Sequence, residues 1–309
     1  MVTRRAFLRL LSGLVAAGAA TSAYGIVIEP LYRLQVTRYA LKPRNWPADL
    51  HLRLAIVADI HACSPWMTAE RVAGIVARTN AVNADMILLL GDYIAGHKYQ
   101  TPIPPQEWAQ ALQTLSAPLG VHAVLGNHDW WQDRAAMRRG KGPTIAGKAL
   151  EDVGIKVFEN EVARFEKDGK PFWLAGLGDQ IAFVPQRGWR DPHHGIDNLP
   201  ATLAQVTDDA PIILMAHEPD IFPNVPDRVS LTLSGHTHGG QVRIFGYAPV
   251  VPSHYGRRFV YGHVNEGGRD LIISGGLGCS IFPVRIGAPP EIVVVDLGQP
   301  KQPLTTSKA

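Results

Sequence analysis

Hydrophobic positions follow two regimes along this chain. Residues 10–28 carry no charge and are apolar almost throughout, interrupted only by small or hydroxyl side chains such as Gly13, Gly18 and Gly25. Beyond residue 50 the apolar residues come instead in short blocks separated by polar, Gly- and Pro-containing segments. The blocks at 52–57, 86–90, 121–125, 212–215 and 229–233 read as buried strands. Between the first of them lie helical stretches at 68–80 and 105–116, opened by Thr68 and by Pro104-Pro105, and a third at 144–153 ended by Gly154. Alternation of strand and helix predicts an α/β fold with parallel strands. The second half is richer in strands, at 156–158, 162–165, 172–177, 241–244, 271–274 and 292–296. Two mixed β-sheets packed face to face and flanked by helices, a four-layer sandwich, accommodate this order in one domain. The stretch 178–200 is irregular and reads as a long loop with lid potential.

The first regime is an addressing signal rather than part of that core. Arg4, Arg5 and Arg9 precede the uncharged run, a pattern that looks like a twin-arginine export signal. The run also reaches the roughly 17–25 residues needed to cross a bilayer. Residues 1–28 are therefore a twin-arginine signal or a retained membrane anchor, with retention slightly preferred. Residues 29–50 follow as a connector, 51–298 as the main folded domain and 299–309 as a C-terminal tail. The expected location is extracytoplasmic, periplasmic or anchored in the cytoplasmic membrane.

Composition narrows the class only a little. The chain has 309 residues, 46% hydrophobic, and a net charge of +3. Its first nine residues carry three positive charges, so the remainder is near neutral and gives no general argument for nucleic acid. Cys63 and Cys279 are too few for a disulfide framework.

The chemistry is concentrated where the strands stop. The run 54–57 leads into Asp59 and His61, 86–90 into Gly91-Asp92, and 121–125 into Gly126-Asn127-His128-Asp129. Likewise 212–215 leads into His217, and 231–233 into Gly235-His236-Thr237-His238. In open α/β sheets the carboxyl ends of strands converge on one crevice. Carboxylate, imidazole and amide donors suit Mn, Fe or Zn rather than a structural thiolate site. Seven donors exceed the needs of one tetrahedral ion but suit two divalent ions sharing a carboxylate.

The ordered set Asp-x-His, Gly-Asp, Gly-Asn-His-Asp, His, Gly-His-x-His resembles the calcineurin-like metallophosphoesterase superfamily, and with the twin-arginine start its exported or membrane-anchored branch. Some members of that branch hydrolyse lipid-linked phosphodiesters such as UDP-2,3-diacylglucosamine. The resemblance implies that Asp59, His61 and His238 hold one metal, Asn127, His217 and His236 a second, and Asp92 bridges them. It implies a hydroxide held between the ions as nucleophile. His128 is implied to steady developing charge or protonate the leaving oxygen, with Asp129 fixing its orientation. Ala95 stands where a purple acid phosphatase would have a tyrosine, so no tyrosinate site is expected, Tyr93 being misplaced for one. The expected substrate is a phosphodiester or pyrophosphate, lipid-linked or from the cell envelope. A broad phosphodiesterase or nuclease, and a non-catalytic metal-binding scaffold, are the alternatives; nucleic acid is not favoured as a partner.

Other residues carry weaker signals. Arg134, Arg138, Arg139 and Lys141 are placed to grip phosphate or an anionic surface, or simply to form a solvated helix face. Trp130, Trp131, Phe183 and Trp189 are candidates for an acyl or base pocket, His97 for reaching the cleft, and His193-His194 for surface loop.

Overall fold

The computed structural model describes residues 3–96, 99–183 and 194–298. The strands of its two large sheets, in chain order, are β1 (Gln35–Leu41), β2 (Leu52–Val57), β3 (Met86–Leu90), β4 (Val121–Val124), β5 (Lys156–Val157), β6 (Glu161–Lys167), β7 (Lys170–Gly176), β8 (Ile212–Met215), β9 (Val229–Ser234), β10 (Gly262–Glu266), β11 (Arg269–Ile273) and β12 (Glu291–Leu297). They form two six-stranded sheets, ordered β1-β12-β2-β3-β4-β5 and β10-β11-β9-β8-β7-β6. Within the first, β2 to β5 run parallel, and β12 lies antiparallel to β2 but parallel to β1. Within the second, β7, β8, β9 and β11 are parallel, with antiparallel edges β6 and β10.

Both faces of the central strands are covered, which is why their sequences are continuous apolar runs. Leu52, Leu54 and Ile56 alternate with Ala55 and Val57 along β2. The even-numbered set meets Leu88, Leu174, Met215, Leu233 and Val293 between the sheets. The odd-numbered set meets Val72, Ile75, Trp108, Leu112 and Leu150 from helices Ala69–Asn80, Pro105–Leu112 and Ile145–Asp152. The outer face of the second sheet is closed by Leu199, Ile221, Phe222 and Phe259 from short helical turns.

Three segments depart from the expectation. Residues 29–50 are not only a connector, because they contain β1. Its sequence QVTRYAL alternates and pairs with one neighbour, so no apolar run marks it. Residues 241–244 form no strand: Gln241 adopts φ 56° and Val242 makes only an isolated bridge to Ile286. In their place the edge strand β10 carries the sequence GHVNE, too polar to be read as one.

At the N-terminus a helix runs from Arg4 to Tyr32, long and apolar enough to cross a membrane. Thr3 caps it by accepting from Ala6 N. None of its residues from Arg4 to Ala23 is buried, and Phe7, Leu10, Leu11, Leu14 and Val15 are exposed.

Candidate metal centre

The parallel strands of both sheets present their carboxyl ends to the same place. Asp59 and His61 follow β2, Asp92 follows β3, and Asn127, His128 and Asp129 follow β4. His217 follows β8, while His236 and His238 follow β9. Adjacent loops are tied backbone to backbone: Asp59 N donates to Gly91 O (3.0 Å), His61 N to Asp92 O (2.9 Å), Gly235 N to His217 O (3.0 Å) and Gly278 N to Asp59 O (2.7 Å). Close approach is enforced at glycines. A Cβ on Gly126 would lie 2.4 Å from Asp92 Oδ1, and one on Gly235 would lie 2.6 Å from Asp59 Oδ2.

Strain marks the same residues. Asp59 (φ 54°), His61 (46°), Asp92 (57°), His236 (67°) and His238 (53°) all occupy the left-handed region. Each such residue costs about 1–3 kcal/mol and persists only where its surroundings over-determine it.

The side chains then converge. Ligand atoms of Asp59, His61, Asp92 and His238 lie within 4.8 Å of one another, and so do those of Asp92, His217 and His236; Asp92 belongs to both groups. His61 Nε2 is 3.1 Å from His238 Nε2 and 3.4 Å from Asp92 Oδ2. His217 Nε2 is 3.3 Å from Asp92 Oδ2, His238 Nε2 is 3.5 Å from Asp59 Oδ1, and His236 Nδ1 is 3.0 Å from Asn127 Oδ1. Most of these spacings are about the edge, roughly 3.3 Å, of a polyhedron with bonds of ~2.0–2.2 Å. His217 Nε2 is buried without a hydrogen-bond partner. A buried, partly unsatisfied set of nitrogen and oxygen donors fits divalent metal ions, and the shared carboxylate is compatible with a dinuclear site.

Backbone carbonyls orient the rings. His61 Nδ1 faces Ile94 O at 3.1 Å and His217 Nδ1 faces Leu90 O at 2.6 Å, so each presents Nε2 to the cluster. Burial pushes His61 and His236 down to about 3, with the neighbouring histidines adding to it and Asp92 opposing. Both rings are therefore neutral donors. Burial disfavours the charged form of His217 too, but Asp92, Glu218 and Asp59 together hold it well above the usual value. Burial, reinforced by Asp92, raises Asp59 to about 7 against the pull of His217.

Asp129 corrects an expectation. Its carboxylate does not orient His128. Oδ2 accepts from Asp92 N and Gly126 N, both at 2.9 Å, and Oδ1 from Tyr93 N (2.9 Å) and Ile94 N (3.2 Å). It caps the helix Asn127–Trp131 and clamps the 92–94 loop on which Asp92 sits. His128 is held otherwise: its backbone N donates to Asp92 Oδ1 (2.8 Å), and its ring lies edge-on to His61 with centroids 4.9 Å apart. Its Nε2 is 3.5 Å from Ser280 Oγ.

Arg285 escaped sequence reasoning. It is fully buried, and its guanidinium donates to the carbonyls of Gly275 (2.9 Å), Gly278 and Ala288 (2.8 Å). It also meets His238 Nδ1 at 3.2 Å. Through that contact the guanidinium helps fix the orientation of the ring, whose Nε2 faces His61 in the cluster. The signal was a lone arginine in the Gly- and Pro-rich run after residue 275.

Other candidates separate cleanly. Arg134, Arg138, Arg139 and Lys141 are exposed, on and just beyond the short helix Arg134–Arg139. Trp130 is core, edge-on to Phe183, whereas Trp131 lies 5.4 Å from the His128 ring. Tyr93 is buried, its hydroxyl donating to Val124 O. Cys63 and Cys279 are buried thiols outside any disulfide, and line one small cavity with His61. His194 is exposed. His97, Trp189, His193 and the tail lie outside the described residues.

A profile of the calcineurin-like phosphoesterases matches residues 52–240, the span that carries every one of the clustered donors. The chain belongs to that family. It is a phosphoric ester hydrolase by membership. It is 29% identical to the metallophosphoesterase YkuE of Bacillus subtilis over 307 residues, 96% of this chain and 98% of that protein. It is 27% identical to the phosphodiesterase YaeI of Escherichia coli, over 96% of this chain and 100% of that one. It is also 30% identical, over 72% of its length, to a transmembrane protein with a metallophosphoesterase domain from Danio rerio, of which it covers 48%.

Proposed function

We propose that the protein is a dinuclear-metal phosphodiesterase or pyrophosphatase. Its substrates are lipid-linked or cell-envelope phosphoesters, met outside the cytoplasm after twin-arginine export, with helix Arg4–Tyr32 retained as a membrane anchor. The observation that carries the metal assignment is the membership of Asp92 in both ligand groups. Asp59, His61 and His238 would hold one ion, Asn127, His217 and His236 the other, and the Asp92 carboxylate, which lies against both His61 and His217, would serve both. Bound there, manganese, iron or zinc would supply charge that lowers the pKa of a coordinated water and neutralises phosphoryl oxygens. His128, at the rim and beside His61, steadies the developing charge or delivers a proton to the leaving oxygen. The diester preference is supported by the full-length likeness to a phosphodiesterase.

The test is hydrolysis by the full chain reconstituted with each metal, across bis(p-nitrophenyl) phosphate, p-nitrophenyl phosphate and lipid-linked diesters and pyrophosphates. Turnover of diesters that vanishes with Asp92→Ala, together with both ions, is expected. Wild type that binds metal but hydrolyses none of them would make it a scaffold.

A further inference from the structure

Two loops leave the metal centre and end in exposed apolar side chains. After His238 the chain turns through Ile244, Phe245 and Tyr247, all exposed, with Phe245 at 105% of its reference area. After Gly278 it passes Ser280, which meets His128, and then exposes Ile281 and Phe282. Gln241 joins the two loops, accepting from Ser280 N (2.7 Å) and donating to Phe282 O (2.9 Å). Tyr99 stacks on Phe282 with centroids 6.3 Å apart. Large side chains exposed on two joined loops that leave the site mark an interaction surface.

The N-terminal helix says what covers it. Its lower end is bolted to the same loops. Arg285 N donates to Gly25 O (2.8 Å), and a Cβ on Gly25 would meet Ile286 at 2.8 Å. Glu29 is buried and accepts from Gly287 N (3.0 Å) and Ala288 N (2.7 Å). Pro30 has no N–H for Ile26 O, which instead receives the Trp66 indole at 3.0 Å. Arg71 donates to Leu31 O (2.8 Å) and Pro30 O. Ile286 in turn pairs with 241–243: its N donates to Gln241 O (3.0 Å) and its O accepts from Arg243 N (2.6 Å). The exposed turn therefore sits one chain-width from the foot of an apolar helix held rigidly, with Tyr24 and Tyr32 exposed at that foot. Arg257 stacks on Tyr247 at 4.3 Å and Arg243 on Tyr261 at 4.6 Å, adding positive charge beside the aromatics. Aromatics and arginines at a helix foot are the composition of a membrane–water interface.

We infer that Ile244, Phe245, Ile281 and Phe282 dip into an anionic phospholipid bilayer, so that the mouth of the metal centre opens onto the headgroup layer. This rests on the retained-anchor reading and specifies how the site meets its substrate: the phosphoester is taken at the surface, from a lipid still in the membrane.

The test is spin-label depth measurement on the full chain in phosphatidylethanolamine–phosphatidylglycerol nanodiscs, with wild type reporting background labelling. Labels at Phe245→Cys and Phe282→Cys are expected to shift from nickel-complex accessibility to oxygen accessibility. A control at Asp168→Cys, in the exposed turn between β6 and β7 at the far edge of the sheet, should read as water. Nickel accessibility at 245 and 282 equal to that at 168, in chains held by the discs, would overturn the docking surface alone. Failure of the chain to enter discs would overturn the anchor and the docking with it.

Discussion

Replacing Asp129 by Asn separates two roles for this buried carboxylate. The native group accepts four backbone N–H bonds, two on each oxygen. Asparagine keeps one acceptor oxygen and turns an NH2 toward the other pair, so two buried N–H groups lose their partner and face a donor. An unsatisfied buried donor costs about 1–3 kcal/mol, giving roughly 2–6 kcal/mol for the change. For a domain of this size that is a fall in Tm of roughly 5–20 °C. The damage is local first, because whichever pair is orphaned includes one end of the 92–94 loop, Asp92 N with Gly126 N or Ile94 N with Tyr93 N, and Ile94 O orients His61. Asp129→Asn should thus lower Tm even with chelator present, and should weaken metal retention in parallel. Thermal unfolding by circular dichroism at a fixed scan rate, with and without EDTA, and metal analysis after gel filtration would measure both. A Tm within about 2 °C of wild type, with turnover lost and metal kept, would refute the clamp and restore Asp129 to the chemistry.

Three further outcomes follow from the same geometry. His128→Gln should lower kcat by roughly 10²–10⁴-fold, the range for a lost proton-transfer group, while metal content stays at the wild-type value; a metal-poor variant would make His128 structural. Gly235→Ala places a methyl 2.6 Å from Asp59 Oδ2, and should weaken metal affinity by about 10–100-fold, as displaced supporting contacts do, read by chelator competition; unchanged competition would show that the loop yields freely. In EDTA, His61 titrates at about 3 folded against 6.5 in its ordinary environment. The unfolded chain therefore takes the proton first, and stability carried by the neutral ring is lost as pH falls from 6.5 toward 3. Relative to His61→Asn, which does not titrate, wild type should lose about 1.4 kcal/mol per pH unit across that window, and parallel urea-stability profiles would contradict the buried neutral state.

The parallel centre of each sheet was legible because strands buried on both faces have no choice but apolar runs. The buried donor cluster was legible for a related reason: each run stops at a polar ligand type, and parallel topology brings those stops together. The edges were not legible. β1 and β10 bury one side at most, so their sequences alternate or turn polar and carry no run. Asp129 was misread because a Gly-Asn-His-Asp string suggests a catalytic pair, whereas Asp at the third helical position after Gly126 is also an N-terminal cap. Arg285 left no periodic trace at all; its partners are carbonyls, which every residue has.

The placement of β12 governs how the domain can be made. This late strand lies between β1 and β2, the two earliest, so the first sheet keeps an open seam until residues 291–297 have been synthesised. Until then β1 has no neighbour and β2 exposes one edge, a template for mispairing. Loop-closure entropy for the register Gln35 to Glu291 must be overcome before any of those bonds form. Folding is therefore a late and cooperative event rather than a progressive one along the nascent chain. Truncation just before Glu291 should abolish the folded domain outright rather than trim its edge.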